Sequence, residues 1–323
     1  MVSATPAGTA SGLSIFPKNA EAATVEIDGH RVGLTNLNKV FWPKLGLRKR
    51  DLLEYYVRIA PVLLPHLRGK AIVMKRYPNG IDGDFFFMKR TPPSRPDWIK
   101  TCPIAHGKGI IDFPLAPDRA ALLWLINLGC IDLNPWYAPC DSPDQPDYLH
   151  FDLDPQGAPF SAVREAALIV NDALTALKMT VFAKTSGGHG MHLYVGIKRG
   201  PKQHEVWAIA KSIGHELARA HRDLLTVEYK VAKRPRGTVL VDYNQNASGR
   251  TLSSIYSVRP NLYAGVSMPV TWEEVERGIT PQDFTILNSV KRVNRIGDLW
   301  APLLQKRGRY NLGALIKEMG LGG

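Results

Sequence analysis

Cysteine is scarce in this 323-residue chain. Only Cys102, Cys130 and Cys140 occur, and no two form a CxxC pair. That scarcity excludes a zinc ribbon or a disulfide framework, fits a reducing compartment, and leaves three thiols in apolar or Pro-rich surroundings where they are expected to be inert. Long hydrophobic runs are missing too. No stretch approaches the roughly 20 apolar residues that span a bilayer, and the N-terminus lacks the charged and apolar segments of a signal peptide. Acidic residues are in deficit, with 29 Asp and Glu against 41 Lys and Arg, a formal charge of +12. A soluble, cytoplasmic chain with this balance is expected to meet an anionic partner, and nucleic acid is the commonest one. Hydrophobic residues, at 45%, are sufficient for a sizeable core and exclude disorder over the whole chain.

The chain reads as one large domain without a linker. Residues 1–22 are rich in Ala, Ser, Thr and Gly without periodicity, as in a disordered lead-in. Order is expected from residues 25–27, with Asp28-Gly29 as a tight turn. Over residues 49–67, Leu52, Leu53, Tyr56, Val57, Ala60, Leu63 and Leu64 recur at helical spacing, and Pro61 predicts a kink or break. Residues 71–77 and 85–89 read as strands, and 120–129 as a short buried helix. These belong to an N-terminal α/β part over about 23–147. From Tyr148 the pattern changes: strands over 149–153, 181–184, 192–197 and 238–243 alternate with an amphipathic helix over 161–177 and a further helix over about 202–220. The order β-α-β-β-α-β predicts an α+β fold whose second part, 148–270, holds a split βαβ unit with an antiparallel sheet and helices on one face. The domain is expected to close near residue 303, followed by a basic segment over 304–323.

Three segments carry chemistry. In His150-Phe151-Asp152-Leu153-Asp154-Pro155, residues i and i+2 of a strand share a face, so Asp152 and Asp154 present two carboxylates side by side. Such a pair repels itself unless a cation intervenes, and hard oxygen ligands suit Mg²⁺ or Mn²⁺. The plainer alternative is a strand end running into a Pro-Gln-Gly turn. In the stretch from Lys184 to His192, three glycines let the backbone approach a bulky anion, and Ser186, His189 and His192 supply donors for a triphosphate. The alternative there is a Gly-rich hairpin with solvent-facing histidines. Neither a Walker loop nor a dinucleotide fingerprint fits, because no Gly-Lys-Ser/Thr follows and the stretch leads into a strand. The third segment places Asp242 at the polar end of an apolar strand, with Arg250 and Arg259 downstream to neutralise phosphate. A turn-capping Asp with solvating arginines is its bland counterpart. Together the three fit two-metal phosphoryl transfer.

In this order, Phe-Asp-Leu-Asp-Pro, Thr-Ser-Gly-Gly-His-Gly-Met-His-Leu-Tyr and Val-Asp-Tyr-Asn-Gln-Asn resemble the three motifs of the archaeo-eukaryotic primase superfamily. The nearest branch is the polymerase domain of bacterial ligase D, an end-joining enzyme, and the resemblance runs from about Val25 to Leu303. It implies a primase-polymerase fold and a template-dependent nucleotidyltransferase that extends 3′-OH ends at DNA gaps and double-strand breaks near the nucleoid. It further implies two Mn²⁺ or Mg²⁺ ions, no zinc, and NTP or dNTP as substrate. Carried over, it assigns the metals to Asp152, Asp154 and Asp242, and the triphosphate to Lys75, Ser186, His189, His192, Arg250 and Arg259. A DNA 5′-phosphate falls to Lys39 and Lys49. Template stacking falls to Phe86 and Phe87, which the residues alone would place in the core, as they would leave the two lysines ordinarily exposed. An arginine before the third motif is either Arg234 or Arg236. One departure is Asn134, where many ligase D polymerase domains carry His. No ligase or nuclease motif occurs, so the chain reads as a stand-alone primase-polymerase or a piece of a longer protein, with a Ku-like protein and a separately encoded ligase as implied partners. De novo priming and a silent end-binding module are the competing expectations.

Overall fold

A computed structural model describes residues 16–17, 19–107 and 109–321. Of the expected lead-in, residues 1–15 and 18 lie outside the described residues. Phe16 is buried in the core, and the Pro17 and Ala20 carbonyls accept hydrogen bonds from the Arg50 guanidinium.

Strands β1 (Ala23–Ile27) and β2 (His30–Leu34) form a hairpin whose Asp28-Gly29 turn takes φ of 50° and 77°, as the tight turn requires. β3 (Val40–Trp42) and β4 (Leu47–Arg48) pair next and lead into α1 (Lys49–Leu67). The break expected at Pro61 does not occur. Pro61 is exposed, so the carbonyl it leaves without a partner can be solvated, and the helix continues through it and Pro65. β5 (Ile72–Arg76) runs between β6 (Phe86–Met88) and a later strand, and β7 (Thr101–His106) pairs with β8 (Gly109–Pro114). The helix α2 (Arg119–Asn127) is capped by the Asp118 carboxylate and ends at Gly129, φ 82°. β9 (Cys130–Pro135) then closes the three-stranded sheet on β5. Contrary to the expectation of three inert thiols, Cys102 and Cys140 are joined by a disulfide, their Cα atoms 5.9 Å apart. Only Cys130 remains a free, buried thiol among the described residues.

The second sheet carries the motifs. β10 (Tyr148–Pro155), α3 (Phe160–Ala176), β11 (Val181–Thr185), β12 (Met191–Gly196), α4 (Gln203–Ala220), β13 (Leu225–Thr226) and β14 (Val239–Asp242) follow in turn. With β15 (Pro269–Val270) they give the strand order β13-β14-β10-β12-β11-β15, and every pairing except β13–β14 is antiparallel. The inner four strands reproduce the expected split βαβ arrangement, with α3 and α4 packed on the sheet. Leu153, Val239 and Val241 are fully buried, which leaves the alternate residues Asp152, Asp154 and Asp242 for the other face.

The closing segment, with α5 (Trp272–Arg277), α6 (Ser289–Ile296) and α7 (Gly313–Glu318), ties both sheets together. The Tyr55 hydroxyl donates to the Tyr256 carbonyl at 2.8 Å, and His66 meets Asp298 at 2.8 Å. Tyr310 bridges to the end of β12, and Leu312 is fully buried, so the basic stretch beyond 303 is packed on the domain. One apolar core runs through both parts.

Candidate active site

β10 and β14 set the register of the acidic face. Asp152 lies directly opposite Asp242, and Asp154 is two residues further along β10. Burial raises the Asp152 carboxyl to about 6, an effect that Lys184 and Arg259 partly offset. Burial raises Asp154 and Asp242 as well, and in both the neighbouring Asp152 charge adds to the shift. Three neighbouring carboxylates, two of them raised by the charge of Asp152, offer hard oxygens in a number that fits a divalent ion. As the side chains stand, no three described His, Cys, Asp or Glu groups are clustered closely enough to hold one. Asp242 explains part of this: its oxygens accept from the Tyr229 hydroxyl, the Asn244 N–H and the Gln245 amide, each at 2.9 Å.

The glycine loop joins β11 to β12 across this face. The Ser186 hydroxyl oxygen accepts from the Gly188 and Gly190 N–H groups at 3.1 and 3.0 Å, which leaves its proton free to donate outward. Gly187 has φ 72°, and a Cβ there would lie 2.8 Å from the Ser267 nitrogen, so both conformation and space demand glycine. Asn261 and Tyr263 hold the loop by donating to the Gly187 carbonyl. His189 is exposed at the rim. His192 is buried, and burial together with Lys184 keeps its ring neutral.

A cavity of about 480 Å³ lies over these groups. It gathers nine of the expected site residues: Asp152, Asp154, Ser186, His189, His192, Lys75, Arg250, Arg259 and Phe87. Asp242 is not in the lining but sits beside Asp152 through the strand pairing. Lys39 and Lys49 lie elsewhere. Lys49 is buried rather than ordinarily exposed, its ammonium donating to the Thr35 carbonyl at 2.7 Å, while Lys39 donates to Asn79 at 2.6 Å. Burial and the charges of Lys39 and Arg76 lower Lys49 to about 8, an effect that Glu21 partly offsets, so three cations influence one another there. Phe86 and Phe87 are 45% and 58% exposed, not core, and Phe85 beside them is 50% exposed.

Asp132 escaped sequence reasoning, and the structure places three residues that did not, Lys75, Asn134 and Arg234. Asp132, on β9, is buried yet lines the cavity; it holds Arg259 at 3.1 Å and accepts from the Ser253 and Ser257 hydroxyls. Lys75 stands between Phe87 and Asp132 in the sheet, its ammonium 4.1 Å from the Phe85 ring centroid. Asn134 also lines the cavity and donates to the Asp132 carbonyl at 3.2 Å. Arg234, buried 3.8 Å from Asp154, is the arginine that reaches the acidic face, whereas Arg236 is exposed.

The pattern of the LigD primase-polymerase domain matches residues 48–300. The chain belongs to that family. LigD-type primase-polymerases are metal-dependent, DNA-directed nucleotidyltransferases of non-homologous end joining. Among its relatives, the multifunctional end-joining DNA repair protein LigD of Mycobacterium tuberculosis is 30% identical over 295 residues, covering 87% of this chain and 39% of the relative. LigD of Mycolicibacterium smegmatis is 31% identical over 278 residues, 84% and 36% of the two chains. The chain thus spans well under half the length of these relatives. The solved polymerase domain of Mycobacterium tuberculosis ligase D in complex with DNA superposes with a TM-score of 0.80 at 30% identity, covering 85% of this chain and 98% of that one. As to membranes, no helix among the described residues is long and apolar enough to cross one.

Exposed rings and buried cations predict separable contributions to DNA affinity in this LigD-type domain. Phe87→Ala should weaken binding of a template overhang about tenfold, since stacking contributes ~1–3 kcal/mol per base, without changing the slope of log K against log salt. Lys49→Met should lower that slope by about 1. Titrations of a labelled overhang duplex at several salt concentrations check both, and an unaltered overhang affinity for a folded Phe87→Ala variant would rule out stacking.

Proposed function

We propose that the chain adds nucleotides, under template direction, to 3′-hydroxyl ends at DNA gaps and double-strand breaks. One observation carries the reading: Asp152 and Asp154 of β10, the Ser186–His192 loop and Arg259 converge on a single cavity from separate parts of the chain, with Asp242 of β14 paired beside Asp152. In it, Lys75, Arg250 and Arg259 bind the triphosphate, and the Ser186 hydroxyl and His192 donate to it. Asp132 keeps the Arg259 guanidinium aimed inward. Divalent cations, Mn²⁺ or Mg²⁺, held by Asp152, Asp154 and Asp242 would supply activation of the 3′-hydroxyl and neutralisation of phosphate charge. The 3′-oxygen then attacks the α-phosphate and pyrophosphate leaves. Phe86 and Phe87 stack on template bases, and Lys39, Lys49 and Arg76 receive the 5′-phosphate on the far side of the gap.

The reading places the chain in end joining beside a Ku-like end-binding protein and a DNA ligase that seals the filled product. Extension of a primer across a one-nucleotide gap, with each template base in turn, tests it. Incorporation of only the complementary nucleotide is expected; binding of the gap without any incorporation would make the chain a silent end-binding module.

A further inference from the structure

Four side chains stand in a row across four adjacent strands. Lys184 on β11 pairs with His192 on β12, His192 with Asp152 on β10, and Asp152 with Asp242 on β14. The first of them has no role in the chemistry described so far. Lys184 is 1% exposed, and its ammonium meets the His192 Nδ1 at 2.6 Å, the Ser253 carbonyl at 3.0 Å and the Ser267 Oγ. The Ser267 hydroxyl proton is already given to the Thr185 carbonyl at 3.0 Å, so its oxygen can only accept from the lysine. A carbonyl accepts in any case. An ammonium has three donors and no acceptor, and these partners match it proton for proton when His192 Nδ1 also accepts.

The other edge of the ring makes the same demand. His192 Nε2 lies 3.3 Å from Asp152 Oδ1, and a carboxylate there requires a donor. A neutral imidazole has one proton, which therefore belongs on Nε2 and leaves the Nδ1 lone pair for Lys184. Burial, and then Arg259, hold Lys184 well below its ordinary pKa, with Asp152 and Asp132 only partly opposing, so it is the three partners around Nζ that favour the charged form. The alternative is a neutral amine accepting from Nδ1–H. That arrangement would point the Nε2 lone pair at the Asp152 carboxylate.

We propose that Lys184 is a positioning residue that fixes the tautomer and orientation of His192, so that the cavity meets an N–H donor instead of a lone pair. Its functional consequence rests on reading the cavity as a nucleotide site; the tautomer itself does not. With the lysine in place, Nε2–H is held toward the anions gathered on β10, and an incoming triphosphate finds a donor already oriented. Without it, the ring can invert its tautomer and present a lone pair to the same anions.

Two-bond ¹H–¹⁵N correlation of protein labelled in its histidines reads the tautomer in the unaltered chain, with the His192 signal identified by its loss in His192→Gln. A single Nε2–H form is expected; an Nδ1–H form, a mixture or a doubly protonated ring overturns the proposal. Lys184→Met, similar in length but without a donor, should give mixed tautomers and raise the KM for nucleotide about tenfold or more, with kcat changed less. A folded Lys184→Met variant with unchanged tautomer and KM would also overturn it, and should that variant not fold, the spectrum of the unaltered chain decides. An Nε2–H tautomer in a protein that adds no nucleotide would support the positioning role while removing the nucleotide reading.

Discussion

Asp152→Ala and Asp242→Ala are expected to lower nucleotide addition at a gap by about 1,000-fold or more, because several kcal/mol of charge stabilisation leave with each carboxylate. DNA affinity should hold or rise, since the charge removed is negative. A second readout separates this from unfolding. Burial raises Asp152 to about 6 in the folded chain, above its usual range, against the partial opposition of Lys184 and Arg259. A carboxyl raised on folding destabilises the protein progressively as pH climbs from its unfolded value to its folded one, and fully above that. Asp152→Asn should therefore stabilise the metal-free protein by roughly 3 kcal/mol above pH 6, with the gain fading toward pH 4. Denaturant unfolding at both pH values checks this. An inactive but less stable Asp152→Asn would mean that the carboxylate serves the fold.

The second large effect concerns the 5′-phosphate. Lys39→Ala combined with Lys49→Met should reduce the preference for a 5′-phosphorylated gap over a hydroxyl-ended one by about 100-fold, two charge-assisted contacts being lost together. Lys49 titrates near 8, held down by burial and by Lys39 and Arg76. It is charged below that pH and neutral above it, so in the unaltered protein the preference should weaken as pH rises through 8. Competition binding with the two gap substrates from pH 7 to pH 9 measures both effects. The same preference in the double variant would remove these lysines from phosphate recognition.

How far the sequence discloses this site depends on whether neighbours in space are neighbours in the chain. The period-two pattern around Asp152 and Asp154, and the helical spacing within α1 and α3, are local, and the structure follows them closely. The disulfide is not local: Cys102 and Cys140 are 38 residues apart, with no spacing signal to join them. Asp132 and Lys184 lie in apolar strands, and their roles are not local, because Arg259 and Ser253 for one and Ser267 and Ser253 for the other come from a distant segment. The burial of Lys49 arises from packing beneath Thr35, and only geometry distinguishes Arg234 from Arg236. Phe86 and Phe87 were misleading in the opposite sense. Their composition suggests a core strand, but β6 is short and at the edge of its sheet, so both rings remain exposed.

Whether Asp152, Asp154 and Asp242 serve nucleotidyl transfer is tested most directly by following pyrophosphate release and primer extension together. The unaltered chain would be given a gapped duplex and the complementary nucleoside triphosphate, with Mn²⁺ or with chelator. One pyrophosphate released per nucleotide added, only with the cation present, is the expected result. Extension that persists in chelator, or no extension with the cation while gap binding is intact, would contradict it.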